Sequence, residues 1–224
     1  MRIRDVAVVI PARNEAALIG RCLESVIAAA TARTTITVVA DACTDDTARI
    51  ARAYPGVRVI EVDGATVGLA RAAGVQAALD GFGSTAGTWL ANTDADSVVP
   101  THWITEQVRL AQHGADVLIG TVSPDFADLS PRQIEAWTRR HDPVTANGHV
   151  HGANLGVRAS TYLDAGGFAP IGEHEDVDLV VRCATRGARI EASNLFDVTT
   201  SGRSIGRTSG GYARYLTTEL IAEN

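Results

Sequence analysis

Short apolar runs alternate with helical segments through the first ninety residues of the chain. The runs are continuous rather than alternating, which is typical of strands buried on both faces of a sheet. Strands and helices in strict alternation predict a mostly parallel sheet with helices on both faces. The predicted strands are Val6–Ile10, Ile36–Ala40, Val57–Val62 and Thr88–Asn92, and the predicted helices are Ala16–Ala30, a helix capped by Thr44 that ends near Tyr54, and Val67–Leu79.

The pattern of apolar positions becomes less regular after about residue 98. A glycine-containing polar stretch from His149 runs into a short apolar strand, and the tail from Ser201 is rich in Gly, Ser and Arg. No internal repeat or low-complexity linker divides the 224 residues, a length that suits one domain. We therefore expect a single α/β domain. The elements predicted in this half are strands at Val117–Val122, Leu155–Val157, Ile190 and Leu195–Val198, and helices at Pro131–Arg140 and Glu175–Arg186.

Polar residues follow three of the predicted strands directly. Residues 11–15 read Pro-Ala-Arg-Asn-Glu after the first strand, Asp41 follows the second, and residues 93–96 read Thr-Asp-Ala-Asp after the fourth. Ligands of open parallel sheets bind at the carboxyl ends of the strands. We therefore expect the three polar groups to meet along one edge and to form a ligand site.

Charge and cysteine content narrow the class of protein. The chain has 20 basic and 26 acidic residues, a net charge of −6, which argues against nucleic-acid binding through a basic surface. Cys22, Cys43 and Cys183 show neither disulfide nor zinc-site spacing, which favours a reducing, cytoplasmic compartment. No apolar segment reaches membrane-spanning length, so we expect no transmembrane segment and leave peripheral membrane contact open.

Two acidic residues separated by one other residue, Asp94 and Asp96, follow the fourth strand. Carboxylate oxygens are preferred ligands of Mg²⁺ and Mn²⁺, whose coordination shell is often completed by substrate phosphates. Taken alone, the pair is also compatible with a solvated turn or with a helix start near Pro100, capped by Ser97. The motif by itself leaves these alternatives open.

Several short strings occur in a characteristic order along the chain. They are residues 8–15 (VVIPARNE), 38–47 (VVADACTDDT), 68–74 (GLARAAG), 93–96 (TDAD), 152–154 (GAN), 166–168 (GGF) and 175–176 (ED). This ordered set, over roughly residues 5–190, resembles the family-two glycosyltransferases of the GT-A fold. The chain departs from the family at Ala40, where a first acid is usual, and it lacks the Gln-x-x-Arg-Trp acceptor motif of many members.

The resemblance implies a nucleotide-sugar site in about residues 1–98. Asp41 would accept a hydrogen bond from a ring N–H of uracil or guanine, although an ordinary turn residue is the alternative. Arg71 would face the diphosphate, with a solvated helix arginine as the alternative. Asp94 and Asp96 would hold Mn²⁺ or Mg²⁺ beside Ala95, with Asp96 the more direct ligand. The remaining residues implied in the nucleoside pocket are Pro11, Ala12, Arg13 and Glu15.

The resemblance places the acceptor half in about residues 99–224, including the Arg-rich tail. Asp176 would be the general base that deprotonates the acceptor hydroxyl, with Glu175 as the second choice. Both could instead be acids in the first turn of the helix whose negative charge the helix dipole stabilises. Further acceptor-side candidates are His151, Asn154 and Arg203, the last in a tail that either folds over the diphosphate, binds an anionic acceptor or is a flexible end.

The predicted function is therefore metal-dependent transfer of a hexose-type sugar from a UDP- or GDP-linked donor to a hydroxyl acceptor, with inversion. The acceptor is open among glycans, lipids and small molecules. A sugar nucleotidyltransferase is the alternative enzyme, although the glycine-rich phosphate loop typical of that class is absent after the first strand. A catalytically silent nucleotide-sugar-binding protein is the other alternative.

Overall fold

The computed structural model describes residues 2–64, 66–82, 85, 87–142, 145–207 and 210–222. Within these residues no helix combines the length and apolarity needed to cross a membrane. The strands are β1 Asp5–Ala12, β2 Thr34–Asp41, β3 Val57–Val62, β4 Thr88–Asn92, β5 Ser97–Val98, β6 Val117–Pro124, β7 Leu155–Arg158 and β8 Ile190–Thr200. The helices are α1 Ile19–Ala29, α2 Thr47–Arg52, α3 Val67–Leu79, α4 Trp103–Gln112, α5 Pro131–Arg140, α6 Ala159–Asp164, α7 Glu175–Thr185 and the short α8 Tyr212–Arg214, which continues as a π-helical turn over Tyr215–Glu219.

The strands form one sheet in the order β3-β2-β1-β4-β7-β6-β8-β5. The four strands of the first half are parallel to one another, and β6 is parallel to β8. By contrast, β7 is antiparallel to β4 and β6, and β5 is antiparallel to β8. The sheet is thus mixed and mostly parallel, and the predicted α/β fold is confirmed. The prediction holds because the apolar run at residues 6–10 is buried on both faces of the sheet, with none of its side chains more than 3% exposed.

Helices cover both faces of the sheet and create two apolar layers. On one face α1 and α4 contribute Leu23 and Trp103 to the larger layer. On the other face α3, α6 and α7 contribute Val75, Tyr162 and Leu179. Both layers leave the carboxyl ends of β1, β2 and β4 uncovered by the helices, so the polar residues that follow these strands lie along one edge.

Four predicted boundaries are wrong. The first helix begins at Ile19 rather than at Ala16, because residues 16–18 form a turn. The second helix begins at Thr47 rather than after Thr44, because the amide of Thr44 donates to the Asn14 side chain at 2.7 Å and that of Thr47 to Asp45 at 3.0 Å. Ser97 does not cap a helix: it lies in β5, donates to Thr200 at 2.9 Å, and α4 begins only at Trp103. The two short strands predicted at Ile190 and Leu195–Val198 are one strand, β8, because pairing with β6 satisfies the backbone of the polar residues between them.

Gly74 lets α3 lie directly on the sheet. A Cβ atom at this position would be 2.5 Å from Val9 Cγ1 and 2.8 Å from Val39 Cγ2, which are methyl groups of β1 and β2. Val9 and Val39 are fully buried and β-branched, so neither can rotate away easily. The close approach of α3 to the sheet fixes the position of every side chain on that helix, including Arg71.

We predict that Gly74→Ala lowers the free energy of unfolding by about 1–2 kcal/mol. Overpacking a core costs about 1–3 kcal/mol, whereas the gain in helix propensity is at most about 1 kcal/mol. Gly20→Ala in α1 is the matched control, because its Cβ would meet only the Tyr54 hydroxyl, at 3.2 Å. Urea unfolding of both variants measures the difference. A Gly74→Ala protein as stable as Gly20→Ala would contradict the packing argument.

Candidate functional site

Arg71 is the centre of the site, and it is almost fully buried, with 2% exposure. Its Nη2 donates to Asp94 Oδ1 at 2.6 Å, and its Nε donates to Glu175 Oε1 at 2.9 Å. A Cβ at residue 152 would overlap the guanidinium, so Gly152 provides the space for it. Burial lowers the pKa of Arg71, but the two carboxylates outweigh burial and raise it. The alternative of a solvated helix arginine is therefore wrong.

Glu175 and Asp176 open α7 and differ in their surroundings. Glu175 is buried and its carboxylate is occupied by Arg71. Burial raises the pKa of Glu175 above its ordinary value, against the opposing effect of Arg71. Asp176 is half-buried; its Oδ2 accepts from the amide of Gly152 at 2.6 Å and its Oδ1 from that of Val177 at 2.8 Å. Asp176 is thus the more accessible of the two carboxylates and is held in a defined orientation.

Asp94 and Asp96 flank the buried Ala95 at the end of β4. The Asp94 side chain is 37% exposed and shares one oxygen with Arg71, whereas Asp96 is 12% exposed and accepts from Thr200 Oγ1 at 3.3 Å. Burial and the nearby Asp94 charge raise the pKa of Asp96 to about 6, although Arg203 counteracts this. Two hard oxygen donors are therefore present at one place.

A divalent cation fits these donors only in part. Among the described residues, no group of three or more His, Cys, Asp or Glu side chains is arranged to hold a metal. The Asp94 and Asp96 carboxylates supply oxygen ligands, and a phosphate-bearing substrate would have to supply others. Arg203 now contacts Asp96 Oδ2, so a cation at Asp96 requires this guanidinium to move.

The Arg-rich tail folds back over the site. Arg203 contacts Asp96 with Nη2 and Glu15 Oε1 with Nη1 at 2.8 Å, and Arg207 Nε lies 3.0 Å from the same Glu15 oxygen. Glu15 is buried between these cations. Arg203, a predicted acceptor-side residue, therefore lies against the acids that follow β1 and β4. Arg214 is elsewhere, 3.9 Å from Glu219, and does not reach the site.

The residues predicted for the nucleoside pocket lie at the ends of β1 and β2. Asp41 is buried at the end of β2, and Arg13 Nη1 lies 3.8 Å from its Oδ2. The Arg13 side chain is 54% exposed, so it can move without disturbing the core. Pro11 and Ala12 are the last residues of β1, and the carbonyl of Ala12 accepts from the Cys43 thiol at 3.3 Å.

Three loops of the site contain residues with strained backbones. Asn14, Ala42 and His174 have φ angles of 54°, 44° and 61°, and they are the described non-glycine residues with positive φ. This left-handed conformation is unfavourable for residues with a Cβ and concentrates at functional sites. The three residues directly adjoin Glu15, Asp41 and Glu175, so the strain coincides with the acids that the sequence predicted.

The acceptor-side candidates separate into two kinds. Asn154 is fully buried: its Oδ1 accepts from the Trp103 indole at 2.9 Å, and its Nδ2 donates to the carbonyls of Thr121 and Phe196. The structure therefore does not bring Asn154 to the site surface. His151 is close to Asp176; burial lowers the pKa of His151, and the Asp176 charge opposes this effect.

Sequence reasoning missed an aromatic group beside His151. The His151 ring lies 5.9 Å from Tyr212, which stacks on Tyr215 at 5.8 Å. Trp137 of α5 stacks on His141 at 4.5 Å, and His141 meets Tyr215 edge-on at 6.0 Å. The available signal was weak: α5 has one tryptophan, Trp137, and the tail has two tyrosines three residues apart, in segments that are distant in sequence.

Solved structures with the same fold include S. aureus TarS in complex with UDP-GlcNAc. It has a TM-score of 0.71 and 13% identity, and the match covers 97% of this chain and 65% of TarS. The mannosyltransferase PcManGT from Pyrobaculum calidifontis, in complex with GDP-Man and Mn²⁺, has a TM-score of 0.65 and 22% identity over 92% of this chain and 59% of its own. The chain thus spans less than two thirds of these relatives.

Comparison at the level of sequence gives a family assignment. No curated protein sequence matches the chain significantly. The sequence signature of glycosyl transferase family 2 matches residues 7–160, which include the three strand ends and Gly152. This stretch is more than half of the chain and covers the loops in which Glu15, Asp41, Asp94 and Asp96 converge. The chain therefore belongs to glycosyl transferase family 2.

Proposed function

We propose that this chain transfers a sugar from a UDP- or GDP-linked donor to an acceptor hydroxyl, with a divalent cation. The observation that carries the proposal is that one buried arginine, Arg71, pairs with both Asp94 and Glu175 and so brings the Asp94–Asp96 and Glu175–Asp176 pairs to one site. Membership of glycosyl transferase family 2 supports it, as do the nucleotide sugars in the complexes of TarS and PcManGT. A hexose is the expected sugar type.

Residues at the ends of β1 and β2 bind the nucleoside in this proposal. The buried Asp41 carboxylate accepts from the N3–H of uracil or the N1–H of guanine, a bond to a charged group worth about 1.5–3 kcal/mol. Glu15, Arg13 and the backbone of Pro11 and Ala12 line the same pocket. Residues 1–98 thus form most of the donor half, and residues 99–224 form the acceptor half.

The Asp94 and Asp96 carboxylates hold Mn²⁺ or Mg²⁺ together with the diphosphate. The cation neutralises negative charge on the departing nucleoside diphosphate. Arg203 pairs with Asp96 and Glu15 in the free protein, and it exchanges Asp96 for a phosphate oxygen when donor and cation bind. The Arg71 guanidinium supports the site indirectly, because it holds Asp94 in place.

Asp176 acts as the general base and removes the proton of the attacking hydroxyl. Gly152 N–H and Val177 N–H fix its carboxylate, while the Glu175 carboxylate is committed to Arg71. Direct attack by the deprotonated hydroxyl on the anomeric carbon inverts the configuration.

The free thiols of Cys22, Cys43 and Cys183 support a cytoplasmic location.

We predict that UDP or GDP raises the melting temperature only when Mn²⁺ is present. A ligand that binds only the native state and is present at 100 times its Kd raises the free energy of unfolding by about 2.7 kcal/mol. In this proposal the nucleotide binds only together with the cation, because the diphosphate and the Asp94 and Asp96 carboxylates are all negatively charged. Thermal unfolding with nucleotide, with and without excess EDTA, measures the effect. Asp96→Asn should lose the shift, whereas Asp164→Asn, at the exposed end of α6, should keep it. Equal shifts in EDTA would refute the metal assignment.

Asp176→Asn should leave nucleotide affinity nearly unchanged while turnover falls by roughly 10²–10⁴-fold, the usual range for loss of a general base. Isothermal calorimetry and donor turnover separate the two effects. Glu175→Gln is the comparison variant. It removes a charge partner of buried Arg71, so we expect it to lower the melting temperature, which Asp176→Asn should not do. Normal turnover of Asp176→Asn would exclude Asp176 as the base.

The Asp41 carboxylate should make the site select UDP or GDP over ADP and CDP by at least about tenfold, or roughly 1.4 kcal/mol. Adenine and cytosine present no ring N–H on the pairing edge, so they cannot make the hydrogen bond that the Asp41 carboxylate accepts from uracil or guanine. Calorimetry with the four diphosphates and Mn²⁺ measures the preference. Asp41→Asn should reduce it, and a preference that survives in this variant would mean that the base is read elsewhere.

Release of pyrophosphate from a nucleoside triphosphate and a sugar phosphate would instead identify a nucleotidyltransferase.

A further inference from the structure

A cavity of about 390 Å³ lies between α5 and β6 in the C-terminal half of the domain. Ser123 of β6, Asp197 of β8, Trp137 of α5 and Tyr215 of the tail contribute to its walls. Its volume is within the range of small-molecule sites, which is about 300–1,000 Å³. By contrast, the opening beside Asp96 measures only about 40 Å³ while Arg203 contacts this carboxylate. The larger cavity is therefore separate from the proposed donor site.

One wall of the cavity is linked through a short stretch of chain to the proposed general base. His149 is part of its wall, and the ring of His149 lies 6.4 Å from that of His151. The next residue, Gly152, donates its amide to Asp176 at 2.6 Å. His149 in the cavity wall is therefore only three positions in the sequence from Gly152, whose amide holds the Asp176 carboxylate. This position suits the acceptor rather than the donor.

The walls combine aromatic rings with uncharged polar groups. Trp137, His141 and Tyr215 form one continuous aromatic wall through ring contacts of 4.5 and 6.0 Å. The nitrogens of His141 lie 2.9 Å from the Trp137 carbonyl and 3.2 Å from the Tyr215 hydroxyl, so they are used within the wall. Hydroxyl and amide side chains face the same space. A saccharide ring has a matching structure, an apolar C–H face and an edge of hydroxyl groups.

The charges at the cavity disfavour an anionic acceptor. Arg140 is the one arginine or lysine among its described lining residues, and its guanidinium donates to the carbonyls of Glu219 and Ala222 at 2.8 and 2.9 Å. Asp142 and Asp197 add two carboxylates to the lining. A phosphate or carboxylate placed here would meet like charge at short range and an arginine whose donors are already engaged.

We propose that the acceptor is an uncharged saccharide whose ring occupies this cavity, with Asp197 accepting hydrogen bonds from its hydroxyl groups. The inference rests on the proposed glycosyl transfer and names the acceptor class for it. The hydroxyl that reacts projects past His149 towards Asp176. Specificity for the acceptor then comes from α5, β8 and the tail, which are remote from the nucleoside pocket.

The test measures saccharide binding independently of turnover. Methyl glycosides of glucose, galactose, mannose and N-acetylglucosamine are compared with glucose 6-phosphate and glucuronate by saturation-transfer NMR, with UDP or GDP and diamagnetic Mg²⁺ present. We expect at least one uncharged glycoside to bind and the two anions to bind at least tenfold more weakly. Ser123→Phe should abolish glycoside binding by filling the cavity, and Asp197→Asn should weaken it about tenfold.

Two controls keep the outcomes distinct. Thr138→Phe, on the exposed side of α5 and outside the cavity lining, should bind the glycosides normally. All three variants should keep the nucleotide affinity of the parent protein, which shows that they fold.

Preference for the anions, or glycoside binding that persists in Ser123→Phe, would overturn the inference. If donor binding and hydrolysis are normal while no glycoside binds, the acceptor class is wrong and glycosyl transfer stands. If glycosides bind but no donor does, the proposed function fails, and the acceptor role with it.

Discussion

The buried guanidinium of Arg71 is the interaction on which the arrangement of the site depends. Its two carboxylate partners are 23 and 104 residues away in sequence, on the loop after β4 and at the start of α7. Removing such a charge from water costs several kcal/mol, which only well-placed opposite charges can offset. The pairing therefore fixes three segments relative to one another, and the site exists only when both halves of the domain have folded together.

The cost of burying a charge also explains the contacts of the Arg-rich tail. Glu15 and Asp96 are poorly hydrated acids, and Arg203 and Arg207 compensate their charge in the free protein. Under the proposed function, a cation and a diphosphate take over part of this role: the cation neutralises Asp96, and the diphosphate provides a new partner for Arg203. The acids are thus paired with positive charge both before and after the donor binds, which limits the electrostatic cost of exchanging one state for the other.

The sequence predicted local features well and remote pairings poorly. Continuous apolar runs identified β1 to β4, and the rule about strand ends placed Asp41, Asp94 and Asp96 on one edge, because both depend on residues that are adjacent in sequence. Arg71 was predicted at the site but not as a buried ion-pair partner, since nothing near residue 71 indicates residue 175. Asn154 illustrates the opposite error. The resemblance of residues 152–154 to the family suggested ligand contact, yet the Asn154 amide ties Trp103, β6 and β8 together.

The left-handed backbones of Asn14, Ala42 and His174 have a consequence for how the protein tolerates change. A residue with a Cβ costs about 1–2 kcal/mol in this conformation, whereas glycine there would give the unfolded chain extra freedom worth about 0.5–1 kcal/mol. The two effects offset each other in part, so keeping a side chain at one of these positions costs the folded protein at most about 1.5 kcal/mol. What the protein retains is stiffness: the three loops have few alternative conformations, and therefore little entropy to lose when a ligand binds. A glycine at any of the three would leave the fold intact but would increase the conformational entropy that ligand binding has to remove.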